Sequence, residues 1–291
     1  MTMASGILIV DKPAQWTSMD VCARLRRVFG EKRVGHAGTL DPMATGVLPV
    51  FLGRATRAVQ FAETGEKEYL AGLRLGLTTD TQDIWGKVLT QQPVALSRQE
   101  VEAVLPRFTG EIHQVPPMYA AVKVNGKKLY ELARKGVEVE RKPRRITVSA
   151  LELTGPDREG DWGLRVVCSK GTYVRTLCHD IGAALGCGGV MASLRRTAAC
   201  GYGLDQAHPL EEILDHPDPR SLLLPVDSLF RDRPALTVTP RQEERLRHGG
   251  SFSCAKEPGE YRVYSPTGDF LLLGQVQEGV LTIIKSFYEV E

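Results

Sequence analysis

No single periodicity runs through this chain, and that irregularity is what most constrains its fold. Strand patterning appears at Gly6 to Val10, in "GVLPVFLG", in "KEYLAGLRLG", and at Ile146 to Leu153 and Leu164 to Cys168. In the third of these, Tyr69, Ala71, Leu73 and Leu75 alternate as one face of a sheet would. Helical patterns fall between the strands at uneven intervals. One spans Ser18 to Phe29 and stops at Gly30, another spans Ala55 to Ala62, and a third follows the capping box Ser97 to Glu100 with Val101, Val104, Leu105 and Phe108 on one stripe. A fourth follows an Asn125-Gly126 turn signal and runs into Gly136. A fifth starts after Gly171, with Val174, Leu177, Ile181 and Leu185 facing inward. A doubly wound fold needs regular strand–helix alternation, so this order implies an α+β architecture.

Near the end the pattern changes. "RDRPALTVTPRQ", with Pro234 and Pro240, reads as a boundary between residues 1–233 and residues 234–291. Beyond it a helix at about Pro240 to Arg247 is followed by short strands, with turns at Pro258-Gly259 and Pro266-Thr267-Gly268. The expected result is a large mixed unit followed by a small β-rich one.

"VGHAGTLDPMATGVL", residues 34–48, places a single carboxylate among three glycines. Gly35, Gly38 and Gly46 permit backbone conformations that other residues resist, and Pro42 fixes the position after Asp41, so a shaped loop is expected rather than a strand or helix interior. Asp41 is open to two readings. It can serve as nucleophile, general base or metal ligand, or it can accept N–H bonds within its own turn. His36 likewise suits a structural role. The loop has no second acid nearby, and the chain contains no H-x-x-x-H pair, no C-x-x-C pair, no G-x-x-x-x-G-K-S/T and no G-x-G-x-x-G, so neither a metal nor a nucleotide cofactor is expected. "CHD" at Cys178 to Asp180 names the residue types of a triad, but consecutive helix positions point in different directions.

The net charge of +2 conceals a segregation along the chain. Between Lys123 and Arg145 nine basic residues stand against three acids, whereas Asp205 to Asp218 holds five acids and no Lys or Arg. Clustered cations of this kind suit a polyanion-binding face, or equally a solvated surface segment. No apolar run approaches the roughly 20 residues of a membrane span, and no signal peptide is read at the start. Six widely spaced cysteines in a chain of this size suggest reduced, mostly buried thiols and a cytosolic setting.

Several blocks occur in a telling order: "VDKPAQWTS", "GHAGTLDPMATGVLPVFLGRATR", "KEY", "GLTTDTQDIWG", "QVPPMYAAVKVNGKKLYELARKG", "CSKGTYVRTLCHDIG" and "LRRT". Together they resemble the bacterial tRNA pseudouridine-55 synthases, the TruB family, from residue 6 to about 230. The C-terminal part resembles the PUA-type RNA-binding domain often attached to these enzymes. The resemblance implies a mixed, largely antiparallel sheet flanked by helices, the pseudouridine synthase fold. Its catalytic domain would be residues 1–233, with an RNA-gripping insertion at about 123–145 and a PUA-like domain at 234–291. Gln15 stands where the family usually has glycine, so the turn at that point is a place for this chain to differ.

By the same resemblance Asp41 matches the catalytic aspartate of G-T-L-D-P. The implied reaction breaks the bond between N1 of a uracil and its ribose, turns the base, and rejoins it through C5, without cofactor or metal. Attack at C6, attack at C1′ and a glycal route all fit. Tyr69 would stack on a uracil flipped out of the TΨC loop of tRNA, and Arg175 would pair with Asp41 to hold it ionised and aimed. His36 would fill the space left by flipped nucleotides, Leu194 would form part of the apolar wall, and Lys12 and Pro13 would support the site from the first block. Lys127, Lys128, Arg141, Lys142, Arg144 and Arg145 would grip the RNA. The expected partner is tRNA, with no obligate protein partner and a monomeric enzyme. Three rival readings are a guide-RNA-dependent pseudouridine synthase, a non-catalytic RNA-binding or tRNA-folding protein, and a glycosidase-like hydrolase, which would need a second carboxylate opposite the first that spacing does not identify.

Overall fold

The computed structural model describes residues 4–124, 126–156 and 160–288. Asn125 of the expected turn lies outside them, but the strands flanking it, Lys123–Val124 and Lys127–Lys128, pair as a hairpin. A ten-stranded sheet forms the body. Across it the order is His208–Pro209, Gly6–Lys12, Thr45–Leu52, Gly189–Ala199, Lys67–Leu75, Trp162–Cys168, Arg144–Pro156 and Gly110–Gln114, with Val34–His36 and Tyr202–Gly203 pairing beside this path. All neighbours are antiparallel except Gly6–Lys12 with His208–Pro209 and Gly189–Ala199 with Thr45–Leu52. The sheet is therefore mixed and largely antiparallel, as the resemblance implied.

The central strands are apolar at nearly every position because both faces of the sheet are covered. Leu8, Val10, Leu48, Val50 and Leu52 enter one core, while Ile7, Ile9, Val47 and Phe51 enter the other. Each such side chain contributes roughly 1.5–3 kcal/mol on burial. The Ser18–Phe29 helix covers the first core with Val21, Cys22, Leu25 and Phe29. It starts at a Thr17–Asp20 capping box and stops at Gly30 in the left-handed region, where the sequence placed both ends. The Ser97 capping box forms as well.

Two expectations need adjustment. Residues 34–48 are not loop throughout, since Val34–His36 and Thr45–Leu52 are antiparallel strands and only the segment between them is irregular. The glycines there fit a hairpin whose turn carries Asp41. The segment read as one helix from Ala55 is a 3-10 turn, Gly53–Ala58, leading into the short helix Val59–Ala62.

After Phe230 the chain enters a second, five-stranded sheet in the order Ala235–Thr237, Gly259–Tyr264, Phe270–Gln277, Val280–Ser286 and Phe252–Ser253. The Pro240–Arg247 helix lies where the sequence placed it. This sheet does not hang free. Leu273 and Phe287 share a core with Ile7, Phe51 and Phe230, and the Phe230 ring lies 6.2 Å from that of Phe270 and 5.4 Å from that of Phe61.

Candidate active site

The loop between His36 and Thr45 opens onto a cleft of about 560 Å³. Its lining includes Asp41, Tyr69, Arg175, Leu194, Arg196 and Arg144, drawn from five separate parts of the chain. The loop is held at several points. The Ser18 hydroxyl accepts from the Leu40 N–H at 2.9 Å, the Gln15 N–H donates to the Pro42 carbonyl at 2.7 Å, and the Ala44 N–H closes a turn onto the Asp41 carbonyl at 3.0 Å. Gly46, at φ +101°, allows the closest approach, because a Cβ there would lie 2.1 Å from the Arg196 carbonyl oxygen.

Arg175 meets Asp41 with Nε 2.8 Å from Oδ2 and Nη2 3.4 Å from Oδ1. The arginine is only 5% exposed, against the solvated surface that its place at a helix start would suggest. Its other N–H groups are used on carbonyl oxygens, Nη1 on Thr81 at 3.0 Å and Nη2 on Tyr119 at 2.9 Å. The turn before it is fixed by Gln114, whose amide exchanges two bonds with the Tyr173 backbone. A fork gripped this way has little freedom to follow solvent, so it sets the direction of the Asp41 carboxylate. Asp41 itself keeps 36% of its side chain exposed toward the cleft, leaving it open to a substrate. Behind the pair lies Asp83, 3.9 Å from Arg175 Nε. Burial raises its carboxyl above the usual range, while the Thr81 hydroxyl at 2.8 Å, Arg175 and the Trp85 N–H act against that rise.

Tyr69 is buried, and its phenol is pushed upward by burial. Leu194 stands opposite Ala71 on the adjacent strand and Arg196 stands opposite Tyr69, so these four share the face that looks into the cleft. His36 borders the same space, half-buried, with its pKa lowered by burial and its Nδ1 without a partner. A neutral ring of that kind suits stacking. Lys12 and Pro13 do not line the cleft. Lys12 is fully buried and donates to the carbonyls of Pro13 at 2.8 Å and Trp16 at 2.7 Å, closing the first-block turn from within. Burial lowers its ammonium to about 8, against the pull of Asp41.

The basic segment is divided. Arg144 and Arg145 border the cleft, although Arg145 is also paired with Glu111. Lys142 and Lys127 are exposed, and Lys128 reaches back over the Tyr130 ring, 5.4 Å from its centre. Arg141 departs from its expected role. Its Nη1 donates to the Pro116 carbonyl and its Nη2 to Glu138, so it holds the segment together. In the "CHD" triplet, burial pushes the Cys178 thiol up to about 12, away from the thiolate that a nucleophile needs.

Sequence reasoning missed Asp83, Lys67 and Arg196. The last two had a signal: Lys67 precedes Tyr69 by two and Arg196 follows Leu194 by two, so strand alternation puts each on the face of the residue already chosen. Both are buried, Arg196 completely, and Lys67 Nζ caps the carbonyls of Glu63 and Gly65.

Residues 26–174 match the model of the TruB family pseudouridylate synthase N-terminal domain, and residues 175–231 match that of the tRNA pseudouridylate synthase B C-terminal domain. A protein named tRNA pseudouridine synthase B from Dechloromonas aromatica (strain RCB) is 44% identical over 280 residues, covering 95% of this chain and 93% of that protein. One of the same name from Syntrophotalea carbinolica is 49% identical over 248 residues, covering 84% and 81%. Among solved structures, a Cbf5–Nop10–Gar1 complex aligns with TM-score 0.75 at 25% identity, covering 99% of this chain and 86% of the other. An H/ACA RNP bound to a substrate RNA containing 2′-deoxyuridine aligns at 0.74 and 22% identity, covering 99% and 87%, and so has the same fold.

Proposed function

The chain belongs to the TruB family of pseudouridylate synthases, and from that premise we propose that it isomerises uridine 55 in the TΨC loop of tRNA. It is a pseudouridine synthase that acts on tRNA; the choice of uridine and the residue roles are our reading of the cleft. The observation that carries it is the Arg175–Asp41 pair, a carboxylate gripped from behind and open in front. Asp41 is the group that initiates cleavage of the N1–C1′ bond. The base turns in place, C5 bonds to C1′, the C5 proton leaves and N1 gains one, so the product has the composition of the substrate. Tyr69 and Leu194 hold the detached base, and His36 supports the nucleotides displaced when it flips.

Arg144, Arg145, Lys142 and Lys127 bind phosphates, and residues 234–291 serve as a PUA-like RNA-binding domain. The enzyme works in the cytoplasm as a monomer without a guide RNA or protein partner. Support for a free-standing enzyme comes from its own cationic segment beside the cleft and from relatives named as tRNA enzymes over most of their length. The test is purified protein with an unmodified tRNA transcript and pseudouridine mapping at single-nucleotide resolution. Modification at position 55 without added RNA is expected. Modification elsewhere, or none until a guide is supplied, would overturn the assignment.

A further inference from the structure

Arg196 is among the largest side chains that the protein buries completely. Its strand lies between the two that carry the site: Arg196 pairs in register with Tyr69 on one side and Gly46 on the other. The guanidinium spans the hairpin that holds Asp41, with Nε donating to the Val47 carbonyl at 2.6 Å and Nη2 to the Gly38 carbonyl at 3.0 Å. Nη1 is buried without an acceptor and lies 3.2 Å from where a Cβ on Gly38 would be. Directly opposed residues of an antiparallel ladder project to the same face, so the guanidinium and the Tyr69 ring lie side by side under the cleft. A buried cation held by carbonyl dipoles is costly in desolvation, and holding two moving parts in register is a use that offsets such a cost.

We propose that Arg196 is the positioning residue for Tyr69: its unpartnered Nη1 is the donor available to the Tyr69 hydroxyl oxygen, reached by a small side-chain adjustment, while the rest of the fork fixes the Asp41 hairpin, so that phenol and carboxylate keep one separation around the flipped uracil. The direction of the Tyr69 titration agrees, since burial raises the phenol and Arg196 opposes the rise. This deepens the reading above and rests on Tyr69 facing the base.

The test is a double-mutant cycle with Arg196→Lys and Tyr69→Phe, reading single-turnover pseudouridine formation, tRNA dissociation constant and melting temperature. Lysine keeps the charge but loses the fork. In the Tyr69 enzyme, Arg196→Lys should slow single turnover about tenfold or more while the dissociation constant stays within about threefold. In the Tyr69→Phe enzyme the same substitution should cost less than about half as much on a logarithmic scale, because the hydroxyl it acts through is gone. Equal losses in both backgrounds would overturn the proposal, that being the signature of an arginine that only holds the fold. Should Arg196→Lys fail to fold, arginine side-chain 15N NMR of wild type and Tyr69→Phe decides the point. The Arg196 Nη signals shift when the hydroxyl is removed if the bond exists, and unchanged signals overturn it. A wild type inactive on tRNA would sink the functional reading instead, and the NMR comparison would still settle this bond.

Discussion

The backbone N–H of Gln15 donates to the carbonyl of Pro42 across 2.7 Å, with Gln15 itself in the left-handed region at φ +68°. The first-block turn thus grips the chain one residue past Asp41. A non-glycine residue in that conformation costs roughly 1–2 kcal/mol, which accords with the glycine that the resemblance leads one to expect there. The turn persists despite the substitution because this bond and the Lys12 ammonium beneath it determine it.

Gln15→Gly should therefore stabilise the protein. Relief of the backbone strain exceeds the roughly 0.4–1 kcal/mol lost through a more flexible unfolded chain. Calorimetry should show a rise of about 1–3 °C in melting temperature, with single-turnover rate unchanged. A fall in melting temperature would show that the Gln15 side chain contributes more than its backbone costs.

Phe230 joins the two sheets, being 4% exposed with Phe61, Phe270 and Phe287 around it. Phe230→Ala should lower stability in urea by about 3 kcal/mol, as expected when a buried aromatic ring is deleted. Ending the chain before Ala235 should likewise lower the melting temperature of the remaining body, because the core beneath Ile7 and Phe51 would lose Leu273 and Phe287. A truncated protein as stable as the full chain would contradict the shared core.

Local signals were legible and distant pairings were not. The Ser97 cap and the spans of the Ser18–Phe29 and Pro240–Arg247 helices were readable because such start and stop signals are decided within a few residues. Asp41 was legible because glycines and a proline shape its loop. Nothing local announces that Arg195 and Arg196 pair with Thr45 and Gly46, about 150 residues away, yet that parallel pairing carries Arg196 into the site. Arg196 and Lys67 were missed for a related reason, since a cation in a strand normally reads as solvent-facing. Asp83 sat in a recognised block without distinction until the fold brought it to Arg175.

Lys12 gives the protein a pH signature. Its ammonium is lowered by burial to about 8, below its unfolded value, so between about pH 8 and 10.5 the unfolded chain binds more protons than the folded one. Lys12 therefore makes stability rise with pH through that window, by at most about 3 kcal/mol. Urea titrations at both ends should show that Lys12→Met removes an upward contribution that wild type has. A wild-type slope unaltered by the substitution would show that the lysine titrates as if in water.

The basic segment should divide in two by experiment. Arg144→Gln should flatten the dependence of log tRNA affinity on log salt by roughly 0.7–0.9 for each phosphate that the guanidinium neutralises. Arg141→Gln, which removes bonds to Pro116 and Glu138, should loosen the segment and raise its proteolytic sensitivity. An unchanged slope for the Arg144 variant, or an Arg141 variant as protease-resistant as wild type, would contradict this division.

The central claim is that Asp41 acts on the substrate while other groups bind the RNA. Asp41→Asn preserves size and loses charge and nucleophilicity. Single-turnover pseudouridine yield on tRNA, read together with the tRNA dissociation constant and melting temperature of that one variant, tests the claim most directly. The yield should nearly vanish while the dissociation constant stays within about tenfold, or about 1.4 kcal/mol, of wild type. Substantial yield from an enzyme confirmed by mass spectrometry to retain asparagine at position 41 would contradict it.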